Sequence, residues 1–197
     1  MTATAAYAAL SAKQPLAPFT VERREPGPHD VVIEVAFCGV CHSDIHQARD
    51  EWGGATFPIV PGHEIVGHVR AVGAAVTRFT VGDGVGVGCM VDSCGTCASC
   101  THHHEQFCDK GNAATYNGTE MDRVTPTYGG YAQHIVVTER FVVKVPAGMD
   151  PAGAAPRLVA GATAYSPPGP GVCGQSHTVR GGGRSRTPAF KLVAYSG

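Results

Sequence analysis

The chain has 197 residues, is 43% hydrophobic, and sets 15 Lys and Arg against 16 Asp and Glu for a formal charge of −1. That is one ordinary domain plus a remainder, and its near-neutral balance argues against nucleic acid or a membrane surface as the main partner. No apolar run approaches the ~18 residues of a membrane span, and the first ten residues lack the basic flank and apolar core of a secretory leader, so a cytoplasmic protein is expected, in which eight cysteines point to metal before disulfides.

Residues 1–30 end in a turn cluster, Glu25-Pro-Gly-Pro-His-Asp30. The β-branched run 31–37 then predicts a strand. Residues 38–50 read as a loop or short helix, and 52–62, with Gly53, Gly54, Pro58 and Pro61, as loop. A second strand is expected over 64–73. A twisted, glycine-rich one is expected over 81–88, where Val alternates with Gly or Asp. Residues 92–130 form a loop with four cysteines, too long to stay structureless without a staple. Two more strands are expected at 131–137 and 141–145. Short strands with Gly/Pro turns and no paired helices predict a mainly β fold, a small barrel. The Ala-rich stretch 150–165 predicts a helix opened by Pro151.

The composition changes near residue 166. Residues 1–156 carry 10 basic and 16 acidic side chains, whereas Arg157, Arg180, Arg184, Arg186 and Lys191 beyond them face no acid. From Ser166 onward 11 of 32 residues are Gly or Pro, above the ~25–30% that reads as low-complexity or disordered chain. Residues 167–197 are therefore expected to be an irregular tail, and a shifted reading frame in a GC-rich gene yields this composition.

Cys94-x2-Cys97-x2-Cys100-x7-Cys108 is the most specific motif. Four thiolates at this spacing can enclose one tetrahedral Zn²⁺ with no open position, so the site is structural and staples the lobe 92–110. Free buried thiols, a redox pair and an iron–sulfur cluster are the competing readings. His102, His103 and His104 between them read as a solvated loop. A second constellation is Cys41-His42-Ser43-Asp44-x-His46 with Gly62-His63-Glu64. Cys41 and His63 can ligate a catalytic zinc, which takes three protein ligands and leaves one position open. Glu64 can enter that shell, Ser43 can pass a proton to solvent, and Asp44 can orient His63.

The run Cys38-Gly39-Val40-Cys41-His42-Ser43-Asp44-Ile45-His46 resembles the zinc-binding loop of the medium-chain zinc alcohol dehydrogenases, in their NADP-linked cinnamyl-alcohol-dehydrogenase branch. Gly62-His63-Glu64-x2-Gly67-x5-Gly73-x2-Val76, Val81-Gly82-Asp83-x-Val85, Glu51-Trp52-Gly53 and Gly129-Gly130-Tyr131-Ala132 are similar to the same branch. The likeness covers residues 7–167. It implies a GroES-like β-barrel over 1–150 carrying both zincs, with 151–166 leading toward a Rossmann cofactor domain. It further implies Cys41 and His63 on the catalytic zinc with Glu64 nearby. Ser43 and His46 would form a proton relay, Trp52 would line the pocket for a small alcohol or aldehyde, and Cys94, Cys97, Cys100 and Cys108 would hold the structural zinc. Homo-oligomers are possible in the intact family.

Two departures stand out. The family's third catalytic cysteine falls in Ala155-Pro156-Arg157-Leu158-Val159-Ala160-Gly161-Ala162-Thr163, where Val159 occupies its position and Arg157 replaces a leucine. Cys173 in the tail is a remote substitute. The Gly181-Gly182-Gly183-Arg184-Ser185-Arg186 run lacks the preceding strand and following βαβ unit of a dinucleotide-binding turn. The Rossmann domain is thus expected to be absent, the chain a truncated or frameshifted and inactive copy, its catalytic zinc weak or missing and NADP without a binding domain. The alternative functions are a non-catalytic zinc-stapled fragment and an interaction module. A barrel without its partner domain is expected to expose apolar surface and aggregate.

Overall fold

A computed structural model describes residues 1–165. The tail 167–197, its glycine run and Cys173 lie outside the described residues.

The chain opens with a hairpin that sequence reading passed over. β1 (Thr2–Ala8) pairs antiparallel with β2 (Ala17–Arg23). Alternation turns Thr4, Ala6 and Ala8 of β1 inward, and Val21 and Arg23 of β2. Small Ala and Thr side chains carry little strand signal of their own, so packing on Val60 and Ala132 decides the conformation.

The expected strands follow. β3 (Asp30–Cys38) precedes helix α1 (His42–Ala48), and β4 (Ile65–Val72) follows it. β5 covers Gly84–Val87 and starts later than expected, because 80–83 is a turn. There Gly82 takes φ +94 and Thr80 N–H donates to the Asp83 carboxylate at 2.9 Å. β6 (Met90–Asp92) pairs with β7 (Ala113–Ala114), and between them lies α2 (Ala98–Thr101). β8 (His134–Thr138) and β9 (Val142–Lys144) complete a five-stranded antiparallel sheet in the order β8-β3-β4-β5-β9.

Register slips between Val32 and Ile33 and between Val35 and Phe37 act as bulges and curl this sheet into a half-barrel. Its concave face buries Val31, Ile33, Ile65, Val69, Val85, Val87, Ile135, Val137 and Val142. Each such side chain contributes about 1.5–3 kcal/mol by leaving water.

The stretch 150–165 is not one helix. Asp150 caps α3 (Pro151–Ala154) by accepting from the N–H groups of Ala152 and Gly153. A 3₁₀ turn (Ala155–Arg157) and a turn at 158–159 then intervene before α4 (Ala160–Tyr165). Pro156 has no N–H to continue an α-helical ladder, which accounts for the break. Ala154, Ala155 and Leu158 still dock on Val66 of β4.

Candidate functional site: a four-thiol lobe and a cysteine–histidine pocket

The β6–β7 excursion brings Cys94, Cys97, Cys100 and Cys108 together, with their sulfur atoms all within 4.8 Å of one another. Zn–S bonds of about 2.3 Å in a tetrahedron require sulfurs roughly 3.8 Å apart. Cys94 Sγ and Cys100 Sγ are 3.8 Å apart, so the cage fits zinc. The loop is shaped for it. Gly95 has φ +69, and a Cβ there would lie 2.5 Å from the Arg140 guanidinium. Arg140 donates to the Ser93 carbonyl at 2.8 Å and to Asp92 at 3.2 Å, pinning the arm that enters the cage. The backbone N–H groups of Thr96 and Cys97 pull the Cys94 thiol down to about 5, which favours the thiolate that binds metal. His102, His103 and His104 are exposed on the lobe's surface.

The second pocket is assembled from separate segments. Cys41 precedes α1, whose third residue, Asp44, turns back to accept the Cys41 N–H at 2.8 Å. The other Asp44 oxygen accepts the Gly62 N–H at 3.0 Å and lies 3.3 Å from His63 Nδ1. Gly62 allows this turn: it has φ +104, and a Cβ would strike Cys38 Sγ at 2.7 Å and the Tyr131 ring at 2.8 Å. Tyr131 reaches Asp44 with its hydroxyl at 3.4 Å.

Electrostatics in the metal-free pocket follow from burial and pairing. Burial alone would raise Asp44, but the His63 bond, the imidazole charge and the Cys41 N–H outweigh it and hold the carboxyl below its usual range. Burial would lower His63, yet the Asp44 bond and charge raise it. Burial would raise Cys41, yet the Ser43 N–H, the Ser43 hydroxyl and His63 lower it.

The remaining expected residues are placed as follows. Ser43 Oγ is 3.6 Å from Cys41 Sγ. Glu64 is 1% exposed beside His63, its carbonyl accepting the Gly39 N–H at 2.8 Å. His46 Nδ1 bonds the Glu51 carboxylate, and its ring stacks on Trp52 with centroids 4.8 Å apart. Trp52 is 59% exposed. Val159 is half-buried in the 158–159 turn, with its carbonyl accepting the Thr163 N–H at 2.9 Å. Its side chain offers no donor atom. Among the described residues expected at this pocket, Cys41 offers a thiol and His63 an imidazole, with the Glu64 carboxylate next in sequence and no donor from Val159.

Sequence reading missed two supports. Arg23 is buried and donates to the Tyr128 and Gly129 carbonyls at 2.5 and 2.8 Å, fixing the loop that carries Tyr131. Burial lowers its guanidinium to about 10. Tyr116 stacks on His63, with centroids 5.6 Å apart and planes 14° from parallel. A charged residue on an inward strand position was the available signal for Arg23; Tyr116 had none.

A curled β half-barrel carrying a four-cysteine lobe and a Cys–His pocket at the loop before α1 defines a metal-binding domain of GroES-like type. Comparison with known proteins agrees. The alcohol dehydrogenase GroES-like domain matches residues 27–147. The chain belongs to the zinc-dependent medium-chain alcohol dehydrogenases. It is 60% identical over 148 residues to a probable formaldehyde dehydrogenase, AdhA, of Bacillus subtilis, covering 75% of this chain and 42% of that protein. It is 53% identical over 167 residues to the NADP-dependent alcohol dehydrogenase C of Mycobacterium bovis, covering 85% and 48%. Among solved structures, a cinnamyl alcohol dehydrogenase of Sorghum bicolor superposes with TM-score 0.81 at 45% identity, over 85% of this chain and 47% of that one. The CAD of Helicobacter pylori complexed with NADP(H) gives TM-score 0.81 at 41% identity, over 85% and 48%. The chain thus spans about half the length of the relatives it matches. None of the described helices is long and apolar enough to cross a membrane.

Proposed function

We propose that the chain carries the metal-binding, substrate-side part of an NADP(H)-linked dehydrogenase that interconverts primary alcohols and aldehydes, and that residues 1–197 alone hold one zinc and do not turn over. One contrast supports this: the four-thiol cage is complete, whereas the Cys41–His63 pocket has Val159 where the resemblance puts a third ligand. In this reading Cys94, Cys97, Cys100 and Cys108 hold the structural zinc. Cys41 and His63, with Glu64 beside them, are what remains of the catalytic set. Zinc held by a complete set supplies a Lewis acid for an alcohol or carbonyl oxygen. Ser43 and His46 hold and pass the proton toward solvent, and Trp52 borders the alcohol or aldehyde.

Hydride transfer also requires a nicotinamide held against the substrate. The one Gly-x-Gly-x-x-Gly run in the sequence, Gly169 to Gly174, follows Ser166-Pro167-Pro168 rather than a β-branched run, and so lacks the sequence context of a pyrophosphate cradle. A cytoplasmic location and self-association of the intact enzyme belong to the same proposal, with neither nucleic acid nor membrane as partner.

The test combines zinc analysis, an NADPH fluorescence titration and an aldehyde-reduction assay with formaldehyde and cinnamaldehyde, the aldehydes suggested by the relatives' names. About one zinc per chain, no NADPH binding and no reduction are expected. Two tightly held zincs, or measurable NADPH binding, would overturn it.

A further inference from the structure

We infer that Arg140 and Arg123 form a clasp across the two arms of the four-thiol lobe and set how fast the lobe lets go of its metal. The inference rests on the proposed reading of those thiols as a zinc cage, and adds the residues that keep the cage shut.

The lobe leaves the barrel after β6 and returns at β7, with Cys94 on the outgoing arm and Cys108 on the returning one. The pairing at its base is short, Met90 with Ala114 and Asp92 with Ala113, and is broken by a register shift. A ribbon of that length does not hold itself together. Each arm is instead gripped by an arginine from another loop.

Arg140 grips the outgoing arm. It belongs to the 3₁₀ turn Glu139–Phe141 that follows β8. Its Nη2 donates to the Ser93 carbonyl at 2.8 Å and to the Asp92 carboxylate at 3.2 Å, and its Nη1 covers the bare face of Gly95. The guanidinium lies over the Phe141 ring, 5.7 Å from the centroid, and Phe141 packs on the barrel core. The arm beside Cys94 is thus tied to the barrel.

Arg123 grips the returning arm. Its guanidinium donates to the carbonyls of Lys110, Gly111 and Asn112, at 2.9 Å for Gly111 and 3.4 Å for Asn112. Gly111 donates its own N–H to the Cys108 carbonyl at 2.8 Å, so this grip reaches the last cysteine. Arg123 holds a left-handed backbone, φ +64, which is uncommon for a side chain of its size. The Asp122 carboxylate maintains that turn by accepting the N–H groups of Val124 and Thr125, each at 2.9 Å. A strained turn kept in place by its neighbour, with the side chain laid along three carbonyls, marks a residue that is there to hold the arm.

Metal leaves a closed cage only when an arm swings out. A guanidinium fork bonded to two or three acceptors must give up all of them in that motion, which slows the opening.

The test is zinc release from the full 197-residue chain to excess pyridylazoresorcinol, at a chelator concentration where the rate no longer depends on it and reports lobe opening. Arg140→Met keeps the stem and removes the fork, and release should be about tenfold faster, the low end of the effect of groups that hold metal ligands in place. Arg123→Met, at an exposed position, should give about threefold. Arg140→Lys should stay close to Arg140→Met, because an ammonium group lacks the rigid fork. Val21→Ala, which trims the hairpin cluster of Ala6 and Val60, should lower the melting temperature and leave release at the wild-type rate. Wild-type release from Arg140→Met overturns the inference, as does full rescue by Arg140→Lys or equal acceleration in Val21→Ala. If Arg140→Met does not fold, Arg123→Met decides alone. A wild-type chain that holds no zinc fails the reading of the cage and the clasp together. One that holds zinc and loses it at the same rate in both methionine variants fails the clasp only.

Discussion

The four-thiol lobe draws its ligands from a single loop, whereas the cysteine–histidine pocket gathers groups from the loop before α1, the turn before β4, and the 115–131 segment. The lobe has little apolar core of its own: Cys100 and Cys108 are buried, while Phe107 is 70% exposed. On the proposed reading, a bound zinc supplies the stability that this core does not. The pocket is the reverse. Asp44, His63 and Glu64 are buried among hydrogen bonds that exist without any ion. On the proposed reading, one region depends on its metal, whereas the other is held by hydrogen bonds whether or not an ion is present.

Removing a thiol from the lobe should have the largest effect. Cys97→Ser leaves three ligands for a site whose binding energy is also its folding energy, about 10–16 kcal/mol in zinc-finger peptides. Zinc content should fall from about one per chain to near zero, with loss of protection for the amides of 93–111 in hydrogen exchange. Full zinc retention would show that the lobe does not depend on its fourth sulfur.

Completing the pocket is the second test. Val159→Cys should raise the zinc content from about one to about two per chain, because the remaining donors are already oriented. Hydrogen-exchange protection in the lobe should stay unchanged. A zinc content that does not move would place residue 159 too far from Cys41 and His63 and would remove the basis for reading Val159 as the missing ligand.

The lobe was legible because four cysteines at short spacing have few other physical uses. The strands at 31–37 and 64–73 were legible because β-branched residues run between turn signals. The hairpin at 2–23 was not, since alternating Ala and Thr resemble any small polar stretch until Val60 and Ala132 cover them. The helix at 150–165 was overread: Ala content suggested continuity, and Pro156 interrupts it. In the pocket, Cys41, His63 and Asp44 could be named from spacing to a known family. Tyr116 and Arg23 could not, because each acts across more than fifty residues of chain on a group that sequence order does not place beside it.

The smallest expected effect sharpens the contrast by asking what the lobe owes to ion pairs rather than metal. Arg24, at the end of the hairpin, bonds Asp30 at the start of β3 through a second contact of 3.0 Å and reaches Glu120 at 3.3 Å, so it straps hairpin, barrel and the return from the lobe together. Burial would raise the Asp30 carboxyl, but the Arg24 bond, the Gly27 N–H and the Arg24 charge lower it below its usual range. A carboxylate with a depressed folded value contributes stability that is complete above its unfolded value of about 3.9 and is lost as pH falls through the folded one. Arg24→Ala should therefore cost about 1 kcal/mol at neutral pH, the scale of a partly exposed pair. The difference from wild type should hold steady down to about pH 4 and close below it. Proton competition for the thiolates is common to both chains and cancels in the difference. Urea denaturation across pH checks this, and a gap that persists unchanged well below that range would mean Arg24 acts through packing rather than through the charge of Asp30.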